Sequence, residues 1–426
     1  MRIAVVGAGI AGLYCAWRLS REHRVTVFEA NDYAGGHTNT LDIESGGKSF
    51  AVDTGFIVFN ERTYPHFCSM LRDLGVAWQP SNMSFSLRCE TTGLEYNGTT
   101  LNSLFAQRRN LARPSFLRMI ADILRFNRES REVLVGGDAT LSIGKYLAER
   151  HYSRSFTDCY ILPMARSLWS ASAAAVLDFP ARFCIDFFDR HGFLTVNDRP
   201  KWLAVRGGSR EYVRRLLLAS GRAALKLNSP IAAIQRTQQK LVVSTRTGCS
   251  ETFDAIFLAC HADQALAMLA EPTNAERAVL GAFPYAHNEA ILHTDASVLP
   301  RSPRARAAWN YHLLADRQEP VAITYDMNIL QSLAARTRFL VSLNHARAID
   351  ARRIIRRINY AHPVYLPAGV AAQRRHREIN GVRGTYYCGA YWGYGFHEDG
   401  VVSARTALLH FDEDIADAQR AIQRVG

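Results

Sequence analysis

Residues 7–40 read GAGIAGLYCAWRLSREHRVTVFEANDYAGGHTNT, and this stretch decides the fold. An apolar run, Ile3 to Val6, leads into it and reads as a buried parallel strand. Gly7, Gly9 and Gly12 follow at G-x-G-x-x-G spacing. Gly7 allows the tight turn out of the strand, Gly9 lets backbone approach a pyrophosphate, and Gly12 lets a helix pack closely on the sheet. That helix is expected over 13–21, with its N-terminal dipole facing the phosphates. A second strand over 24–28 ends at Glu29, whose carboxylate is placed to accept hydrogen bonds from a ribose diol. Strand, glycines, helix, strand and terminal acid in one unit predict a dinucleotide site in an α/β, Rossmann-like fold. The glycines alone leave NAD and FAD both open.

The bulk properties narrow the class. The chain has 426 residues, 48% of them hydrophobic, enough for two packed domains. Eight scattered cysteines form no C-x-x-C pair and no zinc spacing, so no metal site is expected. The start of the chain lacks a secretory cleavage pattern, and no apolar run reaches the length of a membrane span. A reduced, cytoplasmic protein is expected, with contact at the inner membrane face left open. The net charge is +12, from 51 basic and 39 acidic residues, and only five of the basic residues are lysine. Such a balance suits nucleic acid, an anionic membrane surface or an acidic substrate. No nucleic-acid motif is present, which removes the first.

The nucleotide-binding domain is expected in three pieces, 1–60, 201–265 and 376–426. The middle piece carries a glycine turn and a helix over 210–220, paired strands over 224–236 and 239–246, and a buried strand over 254–260. The last piece carries a short strand from 384 and a helix over 400–411. Two insertions, 61–200 (mostly helical in pattern) and 266–375 (mixed), are expected to form a substrate or cap domain. Within the first, Leu111, Phe116, Met119, Ile120, Ile123 and Leu124 fall near one helical face. Arg108, Arg109, Arg113, Arg118, Arg125 and Arg128 surround it, against the single acid Asp122. Such a helix either packs its stripe on a core or lies on anionic lipid, at about 1 kcal/mol per basic residue near the surface.

Residues 384–404 read GTYYCGAYWGYGFHEDGVVSA, dense in glycine and aromatics just before a helix. The glycines permit close backbone approach to a flat ligand, and the aromatics are suited to walling it. Glu398 and Asp399 are placed to cap the helix.

Together with this segment, a second double glycine at Gly35 and Gly36, DTGFIVFN at 53–60, GGSREYV at 207–213 and HADQ at 261–264 carry a resemblance that covers nearly the whole chain. The sequence resembles bacterial NAD/FAD-binding flavoproteins of the flavin-containing amine oxidase superfamily. The resemblance implies FAD, held in a Rossmann-like domain of amine oxidase/glutathione reductase type with an inserted, partly helical substrate domain. It implies cofactor contacts from Gly7, Gly9, Ile10, Ala11, Gly12, Glu29, Ala30, Gly35, Gly36, His37, Thr38, Asp53, Thr54, Gly55 and Ile231. From the C-terminal motif it adds Gly389, Trp392, Phe396, His397, Glu398, Gly400 and Val401. Members of this group are associated with cyclopropane-fatty-acid-synthase-like methyltransferases, and some relatives resemble desaturases of methylated unsaturated acyl chains. The resemblance therefore implies redox chemistry on a lipid acyl chain, with a methyltransferase of that kind as partner. Amine oxidases themselves usually carry Arg where His37 stands and a lysine where Asn288 falls, in PYAHNEAILH at 284–293. An aromatic-cage tyrosine corresponds to Phe396. These departures weigh against amine oxidation but not against FAD. His37, Tyr391, Tyr394 and His397 are the candidates for base or orienter. An amine or other small-molecule oxidase, and a non-redox flavoprotein such as an isomerase, remain the competing readings. A single dinucleotide fingerprint argues against an NAD(P)H-consuming reductase.

Overall fold

The computed structural model describes residues 1–425 except 137, 139, 198, 222, 238, 239 and 317–319. Its centre is a five-stranded parallel sheet in the order Ala224–Lys226, Arg24–Phe28, Arg2–Val6, Ala255–Leu258, Thr385–Tyr387. Apart from the exposed first residues Arg2 and Arg24, the last four of these strands are buried along their whole length, as their mostly apolar runs demand in a sheet covered on both faces. The helix Ile10–Leu19 crosses one face and packs against the C-terminal helix His397–Val425. The fold is therefore α/β with a doubly covered parallel sheet, as the glycine-rich unit requires.

Several elements differ from the sequence reading, each for a local reason. The stretch 224–236 is not one strand. Asn228, at φ +51°, and Pro230 break it, so 224–226 joins the parallel sheet while Ile231–Arg236 pairs antiparallel with Leu241–Thr245. The expected start of that partner strand, 239, lies outside the described residues. The C-terminal helix begins three residues earlier than expected, at His397, and runs to Val425.

A second sheet has seven strands, in the order Ile354–Pro363, Tyr285–His293, Leu340–Leu343, Ala322–Asp326, Trp309–Leu313, Phe85–Cys89, Glu95–Asn97. The stretch 61–200 thus supplies two of its strands as well as helices. Those helices enclose an aromatic core around Phe116, Phe126, Phe156, Trp169, Phe183 and Phe187. The expected amphipathic helix is Pro114–Glu129, but its stripe divides: Phe116, Met119 and Phe126 are buried, whereas Leu117 and Leu124 are exposed. Leu111 is not on that helix at all; it sits in the preceding short turn, Arg108–Ala112, and is exposed. Among the described residues, no helix is long and apolar enough to cross a membrane.

Candidate active site

The glycine turn is built as its spacing requires. Gly7 sits at φ +102°, and a Cβ there would stand 2.7 Å from the Ala259 carbonyl oxygen. A Cβ on Gly12 would come within 1.9 Å of the Gly7 oxygen. Gly9 behaves differently: a Cβ there meets no protein atom within 4 Å, so its outer side is clear. The second double glycine folds back onto this turn. Gly35 N–H donates to the Ala8 oxygen at 2.8 Å, and a Cβ on Gly36 would face the Gly9 Cα at 3.2 Å. Glu29 is buried and accepts from Ala8 N–H at 2.8 Å and from Asn31 backbone and side chain at 2.9 Å, leaving acceptor capacity for a diol. Ala30 is exposed beside it, and Ile231 is buried one strand away, after a loop whose Ser229 N–H bonds the Glu29 oxygen.

Two helix N-termini converge here. Gly9 caps Ile10–Leu19 without any side-chain bond, and no acid stands in that first turn. A Cβ on Gly400 would press the Ile10 side chain at 2.8 Å, and its nearest backbone atom is the Ala11 nitrogen. Val401, next in the C-terminal helix, is fully buried in the same core. Two positive helix ends meeting at glycines suit a diphosphate.

Asp53, Thr54 and Gly55 run against residues 37–39. Phe56 N–H donates to the His37 oxygen, and a Cβ on Gly55 would stand 2.1 Å from it. Asp53, expected to touch the cofactor, is instead a clasp. Its oxygens accept from Thr40 Oγ1 (2.5 Å), Ser209 N–H (2.9 Å) and Gln331 Nε2 (2.9 Å). Burial pushes its carboxyl up to about 6, despite these donors. Glu398 is a second correction. Its two oxygens accept from the His66 and Phe67 backbone N–H groups, so it caps the helix Pro65–Asp73 rather than its own. Asp399 closes the turn before the C-terminal helix by accepting from Phe396 N–H, and burial raises it to about 7.

The aromatic segment does not form one wall. A Cβ on Gly389, at φ +155°, would strike the Tyr391 ring, which turns into the core beside Phe283. Trp392 follows it, edge-on to His376. Tyr394 turns the other way, between Phe183 and Phe187, and donates its hydroxyl to Asp186. Neither tyrosine joins the histidines, so neither is placed as a base. Phe396 stacks on Phe187 at 5.1 Å, and the next residue, His397, turns inward. His397 stacks on Phe56 at 3.5 Å and its Nε2 meets Thr38 Oγ1 and Tyr212 OH at 3.0 and 2.9 Å. Burial holds it well below the usual imidazole range.

His37 stands at the centre of a cluster only partly visible from sequence. Its ring stacks on Tyr360 at 4.9 Å, with His362 at 5.2 Å and His261 at 6.0 Å. Burial lowers His37 and His261 to about 4 and His362 to about 3, and each is lowered further by a neighbouring imidazole. All three are therefore neutral near pH 7. Asn288 meets His362 Nδ1 at 3.0 Å and accepts from Asn344 at 2.7 Å. His261 stacks on Tyr285 at 4.4 Å. Tyr360 and His362 were missed because nothing local marks them; they alternate on strand Ile354–Pro363, where Tyr360 pairs with Asn288 across the sheet. The alternation Tyr-x-His at 360–362 was the one available signal. His37 Nε2 is buried without a protein partner, while its ring bonds the Ala361 backbone. The clear side of Gly9, the paired helix ends and this orphaned nitrogen fit FAD.

A cavity of about 100 Å³ lies on the helical side of the site. Phe85, Tyr160, Met164, Phe193, Trp202 and Trp309 supply most of its apolar wall, and Arg199 the only formal charge among the described lining residues. Tyr160 comes from a π turn, Thr157–Ile161, just ahead of Pro163, which lacks the N–H a regular helix would use. His191 links cavity and flavin motif, stacked on Phe187 at 3.9 Å and 6.0 Å from Phe396.

These features define a flavin-binding fold of the amine oxidase type, and comparison with known proteins agrees. The flavin containing amine oxidoreductase family matches residues 10–300, and the chain belongs to that family. It is an FAD-containing, flavin-dependent oxidoreductase. Among solved structures, a putrescine oxidase variant superposes with a TM-score of 0.69 at 16% identity, over 97% of this chain and 99% of that one. Cyclohexylamine oxidase from Brevibacterium oxydans IH-35A gives 0.67 at 15%, over the same shares. The CLA-producing fatty acid isomerase from P. acnes gives 0.65 at 16%, over 96% and 98%. At such identities the likeness concerns the fold. A 1-hydroxycarotenoid 3,4-desaturase from Flavobacterium sp. (strain P99-3) is 45% identical over 71 residues, a match spanning 16% of this chain and 13% of that protein.

Proposed function

We propose that the protein dehydrogenates a lipid acyl chain, introducing a double bond. The observation that carries this reading is the cavity that His191 joins to Phe396: its wall is mostly apolar and none of its described lining residues is acidic. A cationic amine buried there would lack a counter-charge. None of the five lysines is buried, and Asn288 is committed to His362 and Asn344. Relatives in fold that act on fatty acid and carotenoid chains are in keeping with the same substrate class.

Bound FAD supplies the hydride acceptor. The chain supplies the rest. The apolar wall positions the acyl segment and keeps water from the reacting carbon. At about 100 Å³ the cavity is below the ~300–1,000 Å³ of typical ligand sites, so it grips a segment rather than a whole chain. The bond between the His37 ring and the Ala361 backbone fixes the proton on Nδ1, leaving Nε2 as the lone-pair nitrogen. His37 Nε2 takes the proton from the carbon next to the one that loses hydride. Burial, more than the neighbouring imidazoles, keeps it unprotonated until that moment.

The test is anaerobic mixing of holoprotein with phospholipids bearing unsaturated and methylated chains, beside an amine panel, while the visible flavin band is followed. Bleaching by lipid and not by amine is expected. Bleaching by amines alone would overturn the reading. Conversion of lipid without net bleaching would replace dehydrogenation by isomerisation.

A further inference from the structure

We propose that the outer face of helix Pro114–Glu129 docks on the surface of an anionic phospholipid bilayer. The helix has two apolar sides, and only one meets the core. Leu117 and Leu124 lie two turns apart on the solvent side, 43% and 54% exposed, with exposed Ala121 between them. Leu111, just ahead of the helix, is 56% exposed. Arg118 and Arg128 flank this stripe with side chains 58% and 77% exposed. The nearby acids offset only part of the charge that Arg113, Arg118, Arg125 and Arg128 bring to this helix. Asp122 is buried, shared by Arg118 and Arg125 and bonded to Ser153 N–H; Glu129 pairs with Arg128.

One cation also sits at the wrong end of the helix for the helix's own sake. Arg113 occupies the N-cap and the first turn holds no acid, so positive charge is added to the positive end of the dipole. An anion outside the protein relieves that repulsion. The exposed leucines beside these arginines add an apolar contact that a free anion would leave unused, so the bilayer is the occupant that explains both.

The face is continuous with the cavity described above. Gly98 and Thr99 line that cavity, and Leu101, two residues on, is 76% exposed. Arg108 ties this corner to the docking helix through bonds to the Phe105 oxygen and the Asn102 side chain. A docked protein therefore presents the cavity mouth to the bilayer. Only this last step rests on the acyl-chain reading; docking itself does not.

Holoprotein is sedimented with vesicles of phosphatidylcholine, with and without phosphatidylglycerol, at low and high salt. Binding to the anionic vesicles that weakens with salt is expected. Leu117→Asp with Leu124→Asp lowers the partition at least about tenfold. Arg118→Gln with Arg128→Gln lowers it about fivefold per arginine, the equivalent of about 1 kcal/mol each. Flavin content and circular dichroism confirm that both variants are folded. Equal binding to the two vesicle types, or variants that bind like the parent, overturns the proposal. So does a wild-type dimer that Leu117→Asp and Leu124→Asp dissolve without any vesicle binding, because the face then belongs to a second copy. Flavin bleaching by lipid dispersed in detergent separates the two readings. Turnover without vesicle binding removes only the docking, and vesicle binding without turnover removes only the substrate.

Discussion

The glycine grip at residues 7–40 and the aromatic segment at 389–400 lie against each other, yet they are built by opposite means. The grip is made of backbone. Its residues are chosen for what they lack, and their positions follow from one turn, one helix and one strand in sequence. The aromatic segment is made of side chains that go to three different places: Tyr391 and Trp392 to the core under the parallel sheet, Tyr394 to Asp186 on helix Ala181–Arg190, and His397 inward to Phe56. A backbone device can be read from spacing. A side-chain device needs to know what packs on either side.

Within the grip itself the sharpest contrast is between two glycines. Gly12→Ala forces a Cβ to 1.9 Å from the Gly7 oxygen, a clash with backbone that cannot be relieved by a rotamer. We expect a cost above about 3 kcal/mol and little soluble protein. Gly9→Ala meets nothing within 4 Å, and its φ of −76° suits alanine. It is expected to leave the unfolding temperature of the stripped protein unchanged while flavin content falls sharply. Gly9→Ala protein that keeps a full complement of FAD would remove the phosphate from Gly9.

The histidine cluster predicts the next largest effect, on pH. His37, His261 and His362 have folded values of about 4, 4 and 3 against an ordinary 6.5. Below pH 6.5 the unfolded chain binds protons that the folded chain refuses. Stability is therefore full above pH 6.5 and is lost as the pH falls toward 4, by about 1 kcal/mol per histidine for each pH unit. Asp399 and Asp53, raised to about 7 and about 6, act in the opposite sense, but they are two carboxyls against these three histidines and against His191, His293 and His376, each also lowered to about 4. Urea unfolding between pH 7 and pH 5 should show a falling midpoint, and His362→Gln should flatten the slope. A flat profile in the parent would mean the cluster is hydrated rather than buried.

What could be read in advance divides along the same line. The α/β class, the FAD grip and Gly400 follow from glycines whose spacing has one geometric use. His37 was found because it follows a double glycine. His362, Tyr360 and the role of Asn288 were not, since their meeting depends on the register of two strands more than 60 residues apart, in which Asn288 faces Tyr360. The split stripe of helix Pro114–Glu129 was hidden for a related reason: periodicity shows that a helix has apolar residues, and the tertiary neighbours decide which of them are covered. The resemblance places Asp53 and Glu398 at the cofactor, and local sequence offers nothing against it: apart from Thr40, the donors they meet, Ser209 and Gln331 for Asp53 and the His66 and Phe67 backbone for Glu398, lie more than 150 residues away.

Glu398 offers a third test. As a cap for helix Pro65–Asp73, it should cost about 1–2 kcal/mol on replacement by alanine, with flavin content unchanged. Loss of FAD from an otherwise stable Glu398→Ala protein would return the residue to the cofactor.

The smallest expected effect is the most informative about the aromatic segment. Tyr394 donates to Asp186, which also pairs with Arg190 at 2.7 Å, so removing the hydroxyl leaves the carboxylate with a partner. Tyr394→Phe should then cost about 1 kcal/mol, the net worth of one hydrogen bond, and leave the ring packed between Phe183 and Phe187. The rate of flavin reduction and its pH profile should not move. His37→Gln, with the ring nitrogen gone from the centre of the cluster, should slow reduction by about 10²–10⁴-fold and flatten the acid limb of that profile. If Tyr394→Phe slows reduction as much as His37→Gln does, the proton leaves through the aromatic segment. Tyr394 would then have to swing from Asp186 during the reaction, and the two regions would work as one.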